Sequence, residues 1–234
     1  MLIESLVAEA FATNCYVVAA EPGSECVVVD PGIGIGPQLD AVVERHRLRP
    51  VAVLMTHGHI DHTFSVAPVC GARDIPAYIH PGDGAMLADP AKGLSEALAR
   101  MIPPSLEWTE PDEVVGVSDD TTVELAGLRI RIDHAPGHTP GSVLFGLPGD
   151  DSAPGYCLTG DVLFAGSIGR TDLPGGDGAE METSLRTKIL PKDDDIAVLP
   201  GHGQATTIGR ERRSNPFLRQ VSDGGHTQAP TRGM

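Results

Sequence analysis

One stretch restricts the fold more than any other. Residues 50–62 read PVAVLMTHGHIDH: an apolar run empties directly into a turn holding three histidines and an aspartate. The chain has nine histidines in all. At that frequency a chance H-x-H-x-D-H is expected on the order of once in a thousand such chains. The apolar run reads as a buried strand, so the fold must place the end of a buried strand beside a polar, ligand-rich turn.

His57 and His59 lie two apart, so in extended backbone their side chains point the same way. Asp61 and His62 follow in the next turn and the start of a helix, aimed from another direction. Gly58 is expected to permit the bend. Imidazole nitrogen and carboxylate oxygen suit zinc, iron and manganese. Four such groups on two bearings imply two ion positions rather than one.

Two ions need more donors than one turn supplies. Three further candidates stand beside glycine after apolar runs: His138 in HAPGHTPGS, Asp161 in LTGDVLF and His202 in VLPGHG. Singly, a histidine or aspartate beside glycine is more often a turn residue. In this succession they suggest strand ends meeting at one edge. His138 completes a trio with His57 and His59, and His202 one with Asp61 and His62. Asp161, with two oxygens, can bridge the pair. His57, His59, Asp61 and His62 are the residues expected to carry catalysis.

The rest of the chain supplies the frame. Residues 2–8, 13–20 and 25–30 read as strands, and GPQLDAVVERHRL as a helix with Pro37 near its start. TFSVAPVCG reads as the helix after the histidine turn, broken or begun around Pro68, and IPAYIH as a strand. Residues 81–120 read as one or two short helices and a long loop. Strands return in TTVELAG, LRIRIDHAPG, SVLFGLPG and YCLTGDVLF, followed by a helix in GAEMETSLRTKIL and a strand in DIAVLPGHG. A last helix, TIGRERRSN, stops at Pro216. Residues 1–221 are expected to form one catalytic domain, an α/β, four-layer αββα sandwich of two mixed β-sheets with outer helices. Residues 222–234 are polar, rich in turn residues and expected to be disordered.

Composition excludes several classes. The 234 residues carry a formal net charge of −15, which disfavours phosphate backbones and anionic lipid as partners. No apolar run is long enough to span a bilayer. The N-terminus lacks a basic leader. Cys15, Cys26, Cys70 and Cys157 have no two-residue spacing and read as buried reduced thiols. These features point to the cytoplasm.

THGHIDH, PGHTPGS, LTGDVLF and LPGHG resemble the metal motifs of the metallo-β-lactamase fold superfamily, over nearly the whole chain. Within it, FAGSIGRTDLPGGD and the ending GHG…T…RERRSNPF resemble the glyoxalase II-like hydrolases, in their short form without an added C-terminal helical domain. The resemblance implies an αββα fold with the metals at one sheet edge and an acyl-thiol substrate such as S-lactoylglutathione. Two divalent ions, zinc with iron or manganese as alternatives, lower the pKa of a shared water towards about 7. Thioester hydrolysis suits such a site, because a thiolate leaves without a proton donor.

Other readings stand beside this one. A mononuclear iron persulfide dioxygenase of the same fold would use His57, His138 and Asp161. Ribonuclease-type members of the fold conflict with the charge, and a closed metal scaffold conflicts with a donor set that leaves room for water. Arg170 reads either as a contact to a substrate carboxylate or as a salt bridge to Asp172 or Asp177. Asp30 reads either as a support for a ligand histidine or as a turn cap. Met86, Leu87, Met101 and Trp108 read either as an apolar lid or as core. His46 and His226 read as solvated, as does the face bearing Arg210, Arg212 and Arg213. His80 and His134 are unassigned.

Overall fold

The computed structural model describes residues 1–100, 108–149 and 154–224. Side-chain alternation along the strands sorts apolar residues onto two faces. In β1 (Leu2–Val7), β2 (Asn14–Ala19) and β3 (Glu25–Val29) successive residues serve different cores. Cys15, Val17, Cys26 and Val28 pack outward, towards Leu39 and Val42 of α1 (Gly36–His46) and Val66 and Val69 of α3 (Val66–Gly71). Tyr16, Val18, Val27 and Val29 pack inward against the second sheet. Strand β4 (Arg49–Leu54) follows the same rule, with Val53 outward and Leu54 inward. A strand covered on both faces reads as a continuous apolar run, and that is what "VAVLM" is.

The first sheet has the order β1-β2-β3-β4-β5-β6, with β5 (Ala77–Ile79) and β6 (Val114–Gly116). Its first three strands are antiparallel and the last four parallel. The second sheet comprises β7 (Thr121–Leu125), β8 (Leu128–His134), β9 (Val143–Leu147), β10 (Tyr156–Gly160), β13 (Ala197–Pro200) and β14 (Thr206–Thr207). Its order is β14-β13-β10-β9-β8-β7, antiparallel except for the β10–β13 pair. Between the sheets, Ile130, Ile132, Val143, Phe145, Leu158 and Leu199 meet the inward residues of the first. On the far side Cys157, Leu144 and Val198 pack against Met181 of α6 (Gly178–Ser184), Leu185 and Ile189 of the π-helical turn after it, Ile208 of α7 (Ile208–Ser214), and Leu218 and Val221 of α8 (Pro216–Ser222). The four layers are therefore helix, sheet, sheet, helix, with both sheets mixed.

Several expectations change in detail. The histidine turn leads into two short helices, α2 (Ile60–Thr63) and α3, so the break falls at residues 64–65 rather than around Pro68. Among the described residues after Pro81, the expected short helices are α4 (Gly84–Ala88) and α5 (Glu96–Ala99), with 3-10 turns at Pro81–Asp83 and Pro90–Gly93, and the segment also yields β6, which extends the first sheet. The stretch YCLTGDVLF is broken: Gly160 adopts a positive φ of 47°, and Leu163–Phe164 (β11) pairs with Ser167–Ile168 (β12) as a separate hairpin. Helix α7 stops at Ser214, before Pro216, as expected, but Pro216 also opens a further helix. It occupies the first turn of α8, where proline's missing N–H costs nothing, and the Asn215 side chain accepts from Phe217 N–H at 3.0 Å. Ser222 closes α8, while residues 225–234 of the expected tail, with His226, lie outside the described residues.

The four cysteines are free and buried. His46 is paired, its Nε2 lying 2.6 Å from Glu4 Oε1, so the expectation of a solvated ring fails. Arg212 also departs from a solvated face: it donates to the backbone carbonyl of Leu190 and ion-pairs with Asp194. Among the described residues no helix is long and apolar enough to cross a membrane.

Candidate metal centre

Register decides which strand ends meet. In the parallel β10–β13 pair, Leu158 faces Leu199 and Gly160 faces Pro200, so Asp161 and His202 emerge side by side. The Val143 N–H donates to the Thr56 carbonyl at 2.8 Å, tying the end of β4 to the start of β9 across the two sheets. Asn14 N–H donates to the Gly201 carbonyl at 2.7 Å and Gly201 N–H to that of Gly160 at 2.8 Å. These bonds gather four loops at one edge.

All seven sequence-nominated residues come together there. His59 Nδ1 and His138 Nε2 are 2.9 Å apart, and the His57 ring lies 4.9 Å and 4.7 Å from theirs. His62 Nε2 is 3.3 Å from His202 Nε2 and 3.6 Å from Asp61 Oδ2. Asp161 lies between the groups, Oδ1 3.3 Å from His62 Nε2 and Oδ2 3.6 Å from both His138 Nε2 and His202 Nε2. Three overlapping trios place their donor atoms within 4.8 Å of one another: His57–His59–His138, His57–His62–Asp161 and Asp61–His62–His202.

The surroundings fix which ring nitrogen keeps its proton. His138 Nδ1 donates to the Arg170 carbonyl at 2.7 Å, and His202 Nδ1 to that of Phe11 at 3.1 Å. A carbonyl only accepts, so Nδ1 keeps its proton in both rings and Nε2 is the nitrogen turned towards the cluster. Thr56 Oγ1 donates to Asp30 Oδ2 at 2.6 Å and is left to accept from His57 Nδ1 at 3.1 Å. The same Asp30 oxygen accepts from His62 Nδ1 at 3.0 Å. Convergent lone pairs fit a divalent cation, as do the buried His57 Nε2, His59 Nε2 and Asp161 Oδ1, which have no hydrogen-bond partner among the described residues; carboxylate and carbonyl groups orient the imidazoles from behind.

Electrostatics divide the cluster. Burial, reinforced by neighbouring histidines, pushes His57 well below its ordinary range. Burial first, and His138 second, hold His59 at about 3. On the other side burial works against charge, yet attraction between His62 and the carboxylates more than reverses it: Asp161 falls to about 2 and Asp61 is also held low, while His62 is raised well above its usual value. Burial likewise opposes charge on His202, but its contact with Asp61 raises it. Neutral imidazoles on one flank and ionised carboxylates on the other form a donor set that calls for positive charge between them.

Glycines clear the space. A Cβ at Gly201 would stand 2.2 Å from Asp161 Oδ1 and 2.7 Å from His62 Cε1. Gly58 is not in the left-handed region, so the bend does not require it. Its absent Cβ leaves room for Asp83, whose own Cβ would lie 3.0 Å away.

Outside the cluster the picture is mixed. The Arg170 guanidinium binds Asp172 through two contacts, at 2.6 and 2.8 Å, and Asp177 caps α6 instead. Leu87 belongs to the core under the first sheet and Met86 is buried. Trp108 donates its Nε1–H to the Leu87 carbonyl at 2.7 Å and lies near Phe64, while Met101 is outside the described residues. Three supports had no signal in the sequence. Asp83 accepts from Gly58, Thr139 and Gly141. Thr56 links Asp30 to His57. Asn14 donates to the carbonyls of Pro200 and Gly203, both at 2.9 Å, and so holds the His202 turn. Asp83 and Asn14 act on residues far along the chain, and Thr56 reaches His57 only by way of its distant partner Asp30, so spacing carries no information about these links.

Two mixed sheets between helices, with a His/Asp cluster at their shared edge, define the class of αββα metal-binding proteins. The sequence model of the Metallo-beta-lactamase superfamily matches residues 8–202, and the chain belongs to that superfamily. It is 46% identical to an uncharacterised protein of Mycobacterium tuberculosis, over 95% of this chain and all of the relative. It is 35% identical to the hydroxyacylglutathione hydrolase GloC of Haemophilus influenzae, over 95% of this chain and all of that one. Among solved structures, the BLEG-1 B3 metallo-beta-lactamase superposes with a TM-score of 0.81 at 35% identity, covering 93% of this chain and 99% of that one. TTHA1623 in a di-iron-bound form gives a TM-score of 0.75 at 36% identity, covering 92% and 100%. These likenesses and the His/Asp clusters support binding of divalent metal and a metallo-hydrolase.

Proposed function

We propose that this chain is a hydrolase that opens the thioester of a small acyl-thiol, of the S-2-hydroxyacylglutathione kind, at a dinuclear metal site. The observation that carries the reading is the Asp161 carboxylate, set between the His57–His59–His138 trio and the Asp61–His62–His202 trio with oxygens facing both. Those seven residues would hold the pair of ions. Zinc is the metal proposed, with iron or manganese able to use the same donors.

When bound, such ions supply an acidified water and a Lewis acid for the developing oxyanion. The chain contributes orientation and charge. Asp30, Thr56 and the carbonyls of Phe11 and Arg170 lock the imidazoles. Asp61 and Asp161 are held ionised, so they accept protons rather than donate them. A leaving amine would need a donor, whereas a leaving thiolate does not, and this favours thioester over amide. The Haemophilus relative is named a hydroxyacylglutathione hydrolase, which agrees with that chemistry. A net charge of −15 favours a small-molecule partner over nucleic acid, and a cytoplasmic setting fits four buried free thiols.

The test is thiol release from S-lactoylglutathione and a short panel of acyl-thiols, before and after chelation, with nitrocefin run in parallel. The expected result is thioester cleavage that chelation abolishes and zinc restores. Failure on every acyl-thiol sinks the proposal. One iron per chain with oxygen uptake on glutathione persulfide would select the dioxygenase chemistry instead.

A further inference from the structure

Asp83 is fully buried and lies outside the seven-residue cluster. It sits in a turn (Pro81–Asp83) that wedges between the two loops supplying the first trio. Its Oδ2 accepts from Gly58 N–H at 2.8 Å and from Thr139 Oγ1 at 2.7 Å, and its Oδ1 accepts from Gly141 N–H at 2.6 Å. Gly58 separates His57 from His59, and Thr139 follows His138. One carboxylate therefore holds the backbone of both ligand loops.

The packing is shaped around this contact. A Cβ at Gly141 would fall 2.5 Å from Asp83 Cγ, and one at Gly82 would fall 2.9 Å from the Pro140 carbonyl oxygen. The turn is braced from behind by two histidines that the cluster does not use. His80 and His134 stack with centroids 4.0 Å apart and planes 12° from parallel, and His134 Nε2 donates to the Pro140 carbonyl at 2.8 Å. The second trio has separate supports: Asp30 on His62, the Phe11 carbonyl on His202, and Asn14 on the turn at Pro200–Gly203.

We infer that Asp83 is a positioning residue that sets the metal affinity of the His57–His59–His138 trio and leaves the Asp61–His62–His202 trio unaffected. The inference rests on the two-ion reading above. Three donors point at this carboxylate, so an amide of the same shape cannot replace it. With its oxygen towards Gly58 and Thr139, the amide NH2 of an asparagine opposes the Gly141 N–H. Turned the other way, it opposes the Gly58 N–H. Either orientation sets two donors at contact distance and forces the loops apart.

The experiment measures zinc affinity by competition with a chromophoric chelator in two backgrounds. His202→Ala keeps the first trio and His59→Ala keeps the second. Adding Asp83→Asn is expected to weaken the site retained in His202→Ala by about 10- to 100-fold, the usual cost of losing a support of this kind. In His59→Ala the change is expected to stay under about threefold, because Asp83 shares no hydrogen-bond partner with Asp61, His62 or His202. Should Asp83→Asn fail to fold, Thr139→Val removes one donor without creating a clash and is read the same way. Equal loss in both backgrounds, or none in His202→Ala, overturns the inference. If the unmutated protein takes up two ions and Asp83→Asn changes neither, only the role of Asp83 falls. If the unmutated protein binds no zinc, the two-ion reading falls with it.

Discussion

The Asp30 carboxylate accepts a hydrogen bond from His62 Nδ1 at 3.0 Å, and both side chains are almost wholly out of solvent. Asp30 achieves this with a left-handed backbone, φ 49°, which a non-glycine residue adopts at some strain. Its other oxygen accepts from the Thr56 N–H at 2.8 Å. One residue thus orients His62 directly and His57 through Thr56. Asp30→Ala is expected to lower zinc affinity by about 10- to 100-fold. It also leaves Thr56 and His62 without their acceptor, at about 1–3 kcal/mol. Metal titration and thermal melting check both effects, and unchanged affinity would show that the histidines orient themselves.

Gly201 lies against Asp161 and His62 with no room for a methyl group. Gly201→Ala is expected to displace the Asp161 carboxylate, lower the metal content by about one ion per chain and cost about 1–3 kcal/mol through overpacking. Elemental analysis of the purified variant decides the matter. Full metal content with normal turnover would mean that the turn relaxes without moving Asp161.

Chelation is expected to remove activity and stability together. Free zinc at a hundred times its dissociation constant stabilises the folded state by about 2.7 kcal/mol per site. For a chain of this size each kcal/mol moves the melting temperature by roughly 2–4 °C. Melting in chelator should therefore begin several degrees lower and recover on addition of zinc. Identical melts with and without metal would contradict a preformed pair of sites.

Away from the site, Asp133 is buried and accepts from Lys192 Nζ at 2.7 Å and Arg131 Nε at 2.9 Å. Burial alone would raise its carboxyl, but these two cations hold it below the usual range. A carboxyl lowered on folding stabilises the protein above its unfolded pKa, about 3.9, and the contribution fades as pH falls through the folded value. Asp133→Asn is expected to cost about 2 kcal/mol at neutral pH, and the gap to the unmutated protein should narrow as pH falls below the unfolded pKa of about 3.9. Melting temperatures from pH 7 down to pH 3 test the sign: a gap that widens in acid would be the wrong way round.

The amino-acid sequence alone decided what depends on neighbours along the chain. Apolar alternation and unbroken runs marked β2, β3, β4, β8 and β13. A polar residue beside glycine at the end of such a run marked the cluster, because a buried strand can expose a side chain only where it ends. The layered architecture follows from the same runs, since strands apolar on both faces need cover on both. Other features were decided only by tertiary structure. Residues 14 and 83 become supports because strand pairing, sheet-on-sheet packing and the 81–83 turn bring them to residues dozens to nearly two hundred positions away, and no local preference records such a partner. Val114–Gly116 becomes a strand only because the edge of β5 is free to pair. After α7 stops short of Pro216, the proline begins a second helix because Asn215, anchored to the Ser167 carbonyl and to Glu211, turns the chain for it. Local sequence encodes each side chain's chemistry and direction. Which of them share a cavity is set by long-range pairing, whose free energy comes from the whole core.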